Sequence, residues 1–344
     1  MTVSRPGGRR AVGPDRPHAE SYRGTSVLVT GGAGAIGGNL CRALATLGAR
    51  VTVVDDLSSS DPTSLAGIPG CALVEGSILD PGILARAFAE RPRIVFHLAA
   101  LFANQKSVEQ PEQDLLVNGL GTLRVLEAAR GGGTDRIVYT SSSCVYGDDA
   151  PVPVEEETVS LDPGTPYQLT KLLGELYCRL FETLHAARVV RVRLFNSYGP
   201  GDMPGRYRSV IPNFVFRALT RQPLPITGTG EETRDFTYVG DLVNGLLRAG
   251  VMDEALGEAV NLGSGRETRI LDLAAQVNQL TGNDAGIEHA ARREWDTHQR
   301  RWASIDKAKR LLGYEPATDL GAGLRETVEW FRAHWPRILA SARF

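Results

Sequence analysis

A glycine-rich turn near the start of the chain constrains the fold more than any other feature of the sequence. The apolar run Ser26–Thr30 leads into GGAGAIGG, where Gly31, Gly34 and Gly37 recur every third residue, and apolar residues at helical spacing follow. A second apolar run then ends in Asp55. Strand, tight turn, helix and strand within roughly 30 residues form a βαβ unit, whose two strands are parallel and adjacent.

The same alternation of short apolar runs and helix-like stretches continues as far as residue 195. Alternating β and α elements indicate a parallel sheet with helices on both faces. After Asn196 the sequence becomes rich in turn residues, as in NSYGPGDMPGRYR and QPLPITGTGEETRD. We therefore predict an α/β protein with a Rossmann-type, doubly wound parallel sheet and a smaller C-terminal substrate-binding domain.

The predicted domain boundaries follow these changes in the sequence. Residues 1–23 are rich in Arg, Pro and Gly and lack the apolar segment of a secretory signal, so we expect the disordered tail of a cytoplasmic protein. Residues 24–195 form the predicted Rossmann domain, and residues 236–265 are expected to return to it. Residues 196–235 and 266–344 form the predicted substrate-binding domain.

The overall composition argues against several other classes of protein. Lys and Arg total 38 and Asp and Glu total 40, so the formal net charge of −2 offers no electrostatic footprint for nucleic acid or an anionic membrane. The longest apolar runs are far shorter than the roughly 20 residues that span a bilayer. The four cysteines lack CxxC spacing, and His, Asp and Glu form no cluster with metal-ligand spacing. We expect no nucleic-acid partner, no membrane partner and no metal.

The glycine turn and Asp55 predict a dinucleotide site. Glycines at such a turn let the backbone approach a pyrophosphate, and the helix N-terminus offers N–H groups and the positive end of its dipole. Asp55 lies 24 residues after Gly31, where its carboxylate can accept hydrogen bonds from both ribose hydroxyls. The same carboxylate would repel a 2′-phosphate, so we predict NAD as the cofactor.

Tyr167 and Lys171, in PYQLTK, are four residues apart and share one face of a predicted helix. A phenol with a pKa of about 10 is a weak base at neutral pH, and a neighbouring ammonium favours its phenolate. Ser142, in TSSSCVYG at the end of a predicted strand, could share a substrate hydroxyl with that phenolate. These three residues are the candidate catalytic group.

Several motifs together resemble the extended short-chain dehydrogenase/reductases that act on nucleotide sugars. The motifs are TGGAGAIGG, HLAA, SSSCVYG, YxxxK, RLFNSYGPG, TGTGEETRDFTYVGD, NLGSG and DKAKRLLGYEP, in the family's order over residues 25–335. The resemblance implies a Rossmann domain with tightly bound NAD and a nucleoside diphosphate sugar as substrate. It also implies a homodimer that pairs through helices at 107–130 and 166–185.

The resemblance assigns roles to individual residues. Tyr167 is the base, Lys171 holds the nicotinamide ribose and lowers the tyrosine pKa, and Ser142 is the family's Ser or Thr. The implied cofactor contacts are Gly31, Gly34, Ala35, Ile36, Gly37, Asp55, Asp56, Ser77, Ile78, Leu98, Ala99, Ala100, Asn118, Tyr167 and Lys171. The implied substrate contacts are Ser142, Ser143, Asn196, Arg234 and Arg293. Ser77 departs from the pattern, because the family usually has an aspartate there that reaches the adenine.

The two positions after Ser142 bear on the type of reaction. Family members that dehydrate the sugar carry an Asp–Glu pair there, and those that decarboxylate glucuronate typically carry a Glu at the second position. This chain has Ser143 and Cys144 instead. The substitution favours a 4-epimerase, in which C4 is oxidised to a transient 4-ketose and hydride returns to the opposite face.

Cys144 leaves an alternative open, because it matches the acid/base cysteine of GDP-fucose synthase. A thiolate there could deprotonate C3 or C5 of the 4-ketose and lead to epimerisation, dehydration or decarboxylation. The histidine that partners that cysteine is replaced by Ser209, and Cys144 could also be a packing residue. A third hypothesis is a non-catalytic NAD-binding sensor, although a sensor has no need of a base such as Tyr167. The charged segment ARREWDTHQRR, residues 291–301, lines the substrate mouth or forms a solvated face.

Overall fold

The protein is built around a parallel β-sheet. The computed structural model describes residues 19–102, 104–292, 299–342 and 344. In chain order the strands are β1 (Ser26–Thr30), β2 (Arg50–Asp55), β3 (Cys71–Glu75), β4 (Ile94–His97), β5 (Arg136–Ser142), β6 (Val189–Leu194), β7 (Asn196–Tyr198), β8 (Leu224–Thr227), β9 (Thr233–Arg234), β10 (Phe236–Tyr238), β11 (Ala259–Leu262), β12 (Thr268–Arg269) and β13 (Ile287–Ala290). Within the described ranges the main sheet has seven strands, all parallel, in the order β3-β2-β1-β4-β5-β6-β11. The first six follow the doubly wound Rossmann order, as predicted.

Helices connect the strands and decorate the C-terminal part. They are α1 (Ala19–Tyr22), α2 (Ala35–Thr46), α3 (Pro81–Phe88), α4 (Asn104–Glu109), α5 (Pro111–Asp114), α6 (Gly121–Gly132), α7 (Pro166–His185), α8 (Val210–Leu219), α9 (Val239–Ala249), α10 (Ile270–Thr281), α11 (Asp306–Leu312), α12 (Leu320–Ala333) and α13 (Trp335–Ser341). A π-helical turn, Leu115–Leu120, joins α5 to α6. In the part of the chain that the structure describes, no helix combines the length and apolarity needed to cross a membrane.

Helices cover both faces of the main sheet. Every residue of β1 is buried, and its side chains alternate between two apolar clusters. Val27 and Val29 pack in one cluster with Leu246 of α9, whereas Leu28 packs in the other with Val125 of α6. β1 is therefore a fully buried parallel strand, as expected for a short run that is rich in β-branched residues and apolar on both faces.

The chain after β6 builds a second apolar core. Tyr198, Phe214, Leu273, Leu324 and Phe331 are buried together. Their helices α8, α10 and α12 contact one another, so this part has packing of its own beside the Rossmann sheet.

Two boundaries differ from those expected from the sequence. Within residues 236–265, β11 joins the main sheet and α9 packs against it, whereas β10 pairs in parallel with β7. The predicted disordered tail is wrong for residues 19–23, because α1 docks on the domain there. Tyr22 is fully buried and its hydroxyl donates a hydrogen bond to the carbonyl oxygen of Leu247 at 2.6 Å. Residues 1–18 lie outside the described residues.

Candidate active site

A cavity of about 850 Å³ lies at the carboxyl end of the main sheet, where open α/β sheets bind their ligands. It brings together most of the predicted site residues. Those that line it are Gly31, Gly34, Ala35, Ile36, Gly37, Asp55, Asp56, Ser77, Ile78, Leu98, Ala99, Ala100, Ser142, Ser143, Cys144, Tyr167, Lys171, Asn196 and Arg234. Arg293 lies outside the described residues, and Asn118 does not line the cavity.

Backbone proximity explains the glycines of the turn between β1 and α2. Gly31 has a φ of +71°, and a Cβ there would lie 2.8 Å from the Cα of Ala99, two residues after β4. A Cβ on Gly37 would lie 2.2 Å from the carbonyl oxygen of Gly31, because α2 packs directly on the turn. Gly34 has extended backbone and precedes α2, whose first residues Ala35, Ile36 and Gly37 line the cavity. The N–H groups of such a first turn have no partner within the helix. A side chain at position 31 or 37 would therefore clash with the backbone, so both positions require glycine. The close packing also leaves the N-terminus of α2 accessible to an anion.

Asp55 ties the end of β2 to this turn. Its Oδ2 accepts a hydrogen bond from the Ala33 N–H at 2.9 Å, and its Oδ1 accepts from the Leu57 N–H at 3.0 Å and from the Ser60 hydroxyl at 2.7 Å. A carboxylate has about four acceptor sites, so capacity remains on Oδ2. Asp55 is thus a fixed acceptor at the cavity wall, as a ribose site requires.

Asn118 is a supporting residue rather than part of the cavity wall. It is buried in the π-helical turn, where its Oδ1 accepts from the Leu101 N–H at 2.8 Å and its Nδ2 donates to Asp114 Oδ1 at 2.8 Å. These contacts hold the chain that follows β4. The structure therefore places Asn118 behind the cavity wall and not in it, unlike the predicted direct contact, and it supports the segment next to Ala99 and Ala100.

Tyr167, Lys171 and Ser142 all lie in the wall of the cavity. Thr165 begins α7 by accepting a hydrogen bond from the Gln168 N–H at 3.3 Å, and the four-residue spacing turns Tyr167 and Lys171 to the same side. Lys171 Nζ donates to the carbonyl oxygen of Thr140 at 2.9 Å and lies 5.7 Å from the centre of the Tyr167 ring. Ser142, at the end of β5, lines the cavity with Tyr167 and lowers the pKa of its phenol.

Burial dominates the electrostatics of this group. It raises the pKa of Tyr167 well above its usual range, against the opposing hydrogen bond from Ser142, and it lowers the pKa of Lys171 to about 8. Burial and the charge of Lys171 also lower the pKa of His97 to about 3, so this histidine is neutral. The lowering of the tyrosine pKa by Lys171 stays a prediction for the enzyme with NAD bound, since burial dominates the pKa of Tyr167 in the protein alone.

Cys144 lies in the wall beside Ser142, whose Oγ accepts a hydrogen bond from the Cys144 N–H at 3.3 Å. Burial raises the pKa of the Cys144 thiol to about 11, although Ser142 and Arg301 lower it. The thiol form therefore prevails at neutral pH. This protonation state disfavours the predicted role of Cys144 as a base.

The other end of the cavity carries arginines around a buried carboxylate. Arg292 Nη1 lies 3.8 Å from Glu232 Oε1. Against the effect of burial, backbone N–H groups and then Arg292 and Arg234 lower the pKa of Glu232. Asn196 donates from Nδ2 to the carbonyl oxygen of Asp235 at 3.1 Å, next to Arg234. This basic end suits a diphosphate.

Several cavity residues were not predicted individually from the sequence. They include Asp202, Arg206, Arg208, Glu232, Arg292 and Arg301. Burial raises the pKa of Asp202 to about 6, and its Oδ2 accepts from the Ser209 hydroxyl at 3.1 Å. The one signal for Arg292 and Arg301 was the charge of segment 291–301, for which the substrate mouth was favoured only slightly over a solvated face.

The residues present fit a dinucleotide such as NAD. The turn at Gly31 and Gly34 gives backbone access, and Asp55 supplies the fixed acceptor. In addition, the Ser141 hydroxyl belongs to a residue in the cavity wall, is buried, and has no hydrogen-bond partner among the described residues. A buried polar atom of this kind is usually satisfied by a ligand or water.

Comparison with known proteins agrees with this geometry. The model of the NAD dependent epimerase/dehydratase family matches residues 27–263. A UDP-glucose 4-epimerase of Mycolicibacterium smegmatis is 33% identical over 89% of this chain and 98% of its own length. A UDP-N-acetyl-alpha-D-glucosaminuronate decarboxylase of Bacillus cytotoxicus is 34% identical over 89% of this chain and 97% of its own.

A solved structure is more similar still. An epimerase from the methanogen Methanothermobacter thermautotrophicus is 51% identical and superposes with a TM-score of 0.94 over 96% of this chain and all of that one. The family match covers more than half of the chain, and the relatives span nearly its whole length. The protein therefore belongs to the NAD-dependent epimerase/dehydratase family and is an NAD-dependent enzyme of that family.

Proposed function

We propose that this enzyme is a nucleotide-sugar 4-epimerase. The observation that carries the proposal is the wall beside the catalytic serine, where Ser143 and Cys144 line the cavity in place of carboxylates. Dehydration of a 4-ketose needs a base to remove the C5 proton, and burial keeps the Cys144 thiol protonated, so it is not such a base. The glutamate that decarboxylating members typically carry at this position is also absent. The UDP-glucose 4-epimerase relative supports the same reaction class and a UDP-linked substrate.

The catalytic group can perform the proton transfer that this reaction requires. Tyr167 takes the proton of the C4 hydroxyl, while Ser142 holds that oxygen through its own hydroxyl. Lys171 places a positive charge 5.7 Å from the ring, which stabilises the phenolate as it forms. NAD, when bound, accepts the hydride from C4 and returns it. The cavity residues then hold the 4-ketose while it turns its opposite face toward the cofactor. Tyr167 returns the proton to the C4 oxygen.

Each end of the cavity has a proposed ligand. Gly31, Gly34 and Asp55 hold the dinucleotide, with Ser77 and Ile78 beside its adenine end. Asn196, Arg234 and Arg292 hold the nucleoside diphosphate, since guanidinium groups match phosphate geometry.

The reaction is tested by proton NMR of the purified protein with UDP-linked hexoses in D2O. The proposal predicts the C4 epimer with no deuterium on carbon. Deuterium at C3 or C5, a 4-keto product or loss of CO2 would contradict it. The first two results would support instead the alternative in which Cys144 acts as an acid or base, and a Cys144→Ala variant would then lose the exchange.

We also propose that the enzyme is a homodimer paired through α7. Four leucines on this helix, Leu169, Leu176, Leu180 and Leu184, are each 46–63% exposed and recur at helical spacing. An exposed apolar stripe of this kind marks an interface, and a second copy fits the resemblance noted for helices 107–130 and 166–185. Leu176→Glu with Leu180→Glu should give monomers in sedimentation velocity, whereas the control Leu161→Glu should not. A wild-type monomer would contradict the proposal.

A further inference from the structure

Asp114 is a buried carboxylate to which the proposed reaction assigns no role. It is the last residue of α5 and is fully buried. Its Oδ1 accepts a hydrogen bond from Asn118 Nδ2 at 2.8 Å, and its Oδ2 accepts from the Thr170 hydroxyl at 2.6 Å. Both donors are neutral, and they favour the ionised form of the carboxyl group. A buried carboxylate whose hydrogen-bond donors are neutral is costly, so the fold must gain something from it.

The hydrogen bonds of Asp114 connect the catalytic helix with the cofactor half of the cavity. Thr170 is the residue before Lys171 on α7. Asn118 Nδ2 lies 3.3 Å from Thr170 Oγ1, and Asn118 Oδ1 accepts from the N–H of Leu101 in the cavity wall at 2.8 Å. A continuous hydrogen-bonded chain therefore runs from Leu101 to Thr170 and fixes Asp114 beside the segment that carries the catalytic lysine.

Lys171 is a buried positive charge in contact with neutral groups. It is 4% exposed, and its Nζ donates to the carbonyl oxygen of Thr140 at 2.9 Å. The same nitrogen lies 5.4 Å from the ring centre of Tyr139 and 5.7 Å from that of Tyr167. Burial raises the pKa of both phenols, so neither is ionised at neutral pH. A buried ammonium in such surroundings needs a counter-charge elsewhere in the interior.

The titratable groups that face Lys171 come from α5, α7, β4, β5 and the turn after β5. They are Asp114, Tyr167, Glu175, Cys178, His97, Tyr139 and Cys144. Burial keeps both thiols protonated and His97 neutral. Glu175 accepts from Arg193 Nε at 2.8 Å and from its Nη2 at 2.7 Å, so a guanidinium already balances that charge. In this set of described residues, Asp114 is therefore the carboxylate whose charge no cation in contact balances.

We propose that Asp114 is a positioning residue of the catalytic group, whose carboxylate balances the charge of the Lys171 ammonium. The inference rests on the proposed function, because there Lys171 stabilises the phenolate of Tyr167. Opposite charges in the interior attract each other without contact, since the effective dielectric constant is low. Against the larger effects of burial, the charge of Asp114 raises the pKa of Lys171, and the charge of Lys171 lowers that of Asp114.

The first test is the pH profile of Asp114→Asn, which keeps the shape of the side chain and removes its charge. Burial lowers the pKa of Lys171 to about 8 with the carboxylate present, and we expect a further fall of about one unit without it. The ratio of kcat at pH 8 to kcat at pH 6, measured with UDP-glucose and UDP-galactose, should then be about fivefold lower than in the wild type. The ratio cancels any loss of activity that is equal at both pH values.

Asp241→Asn is the matched control for this profile. Asp241 is also buried, accepts from the N–H groups of Ala317 and Thr318 at 3.1 and 3.0 Å, and lies outside the cavity wall. This variant should keep the wild-type ratio even if it is less stable. A wild-type ratio in Asp114→Asn as well would show that Asp114 is purely structural and would overturn the proposal.

The second test needs no turnover and compares the urea unfolding of single and double variants at pH 7. Asp114→Asn leaves Lys171 without its counter-charge, and Lys171→Met does the same to Asp114. The double variant should therefore lose less stability than the sum of the two single losses. Additive losses would contradict the balance of charges. If Asp114→Asn alone does not fold, a folded double variant would support the proposal and an unfolded one would contradict it.

The inference and the proposed function fail in different ways. If the product is not a C4 epimer, the pH ratio is measured on the product that forms, because oxidation at C4 still needs the phenolate. If neither sugar turns over, the unfolding comparison decides the role of Asp114. Normal 4-epimerisation by Asp114→Asn with a wild-type pH ratio would confirm the reaction and contradict the inference.

Discussion

The two halves of the cavity are built by different means. In the cofactor half, backbone segments approach so closely that there is no room for a Cβ at Gly31 or Gly37. In the substrate half, charged side chains from distant segments converge, as with Arg234, Arg292 and Arg301. In the proposed function, steric fit positions the cofactor and charge selects the substrate. Changes to either half should have separable effects on NAD retention and on substrate KM.

The largest effect is expected where the two halves meet. Tyr167→Phe removes the proton acceptor and should lower kcat by about 10³-fold, a typical loss for a general base. NAD content and substrate binding should change little, because the phenyl ring keeps the packing. Turnover is measured by product NMR and bound NAD by absorbance after denaturation. Tyr177→Phe, on the same helix and outside the cavity wall, is the control, and comparable activity of the two variants would contradict the assignment.

The cofactor half is tested by Gly37→Ala. Its new Cβ would lie 2.2 Å from the carbonyl oxygen of Gly31, so the turn must shift. We expect purified protein without NAD and a loss of about 1–3 kcal/mol in the free energy of unfolding, as for other overpacked positions. Gly131→Ala is the matched control, since its Cβ meets nothing within 4 Å. It should keep NAD and gain about 0.5–1 kcal/mol. A Gly37→Ala protein with full NAD content would contradict the steric account.

The substrate half is tested by Arg234→Met. Loss of a charged hydrogen bond of about 1.5–3 kcal/mol should raise KM for the nucleotide sugar roughly 10- to 100-fold, with NAD content unchanged. Arg266→Met removes an exposed arginine outside the cavity wall and should leave KM unchanged. Steady-state kinetics of both variants measures these KM values. If Arg234→Met instead releases NAD, the two halves are not separable.

The smallest effect is expected from a change of one unit in pH. Burial lowers the pKa of Lys171 to about 8, so the lysine binds a proton below that pH and loses it above. Because the ammonium stabilises the tyrosine phenolate, kcat should fall about tenfold per unit as pH rises above 8. Stability should change in the opposite sense, since the unfolded chain keeps this proton up to a pKa of about 10.4 and folding becomes more favourable between pH 8 and 10. A flat kcat profile to pH 10 would show that the charge of Lys171 is unimportant.

The contrast between the halves also explains what the sequence could predict. Gly31, Gly37 and Asp55 lie in one βαβ unit, where local spacing determines three-dimensional geometry, and the structure places all three at the cavity. Asn118 was misplaced because spacing cannot distinguish a cavity residue from the one behind it. Its burial depends on contacts with Leu101 and Asp114 that form only in the fold.

The substrate half was harder to predict for a physical reason. Arg301 reaches the cavity through hydrogen bonds of its segment to Thr233 and Val154, which are far away in the sequence. Similarly, docking of Tyr22 on Leu247 could not be inferred from a tail rich in Arg, Pro and Gly. Contacts between residues far apart in the sequence leave no periodic pattern in it. The composition of segment 291–301 was therefore compatible both with a segment that lines the cavity and with one that faces solvent.

The most direct test of the central claim uses a nucleotide sugar that carries deuterium at C4, incubated with the enzyme in ordinary water. The account predicts that the C4 epimer forms with its deuterium still at C4, because the hydride leaves and returns within one site. Mass spectrometry and proton NMR measure retention and configuration together. Inversion with loss of the deuterium to water, or chemistry at another carbon with C4 unchanged, would contradict the account.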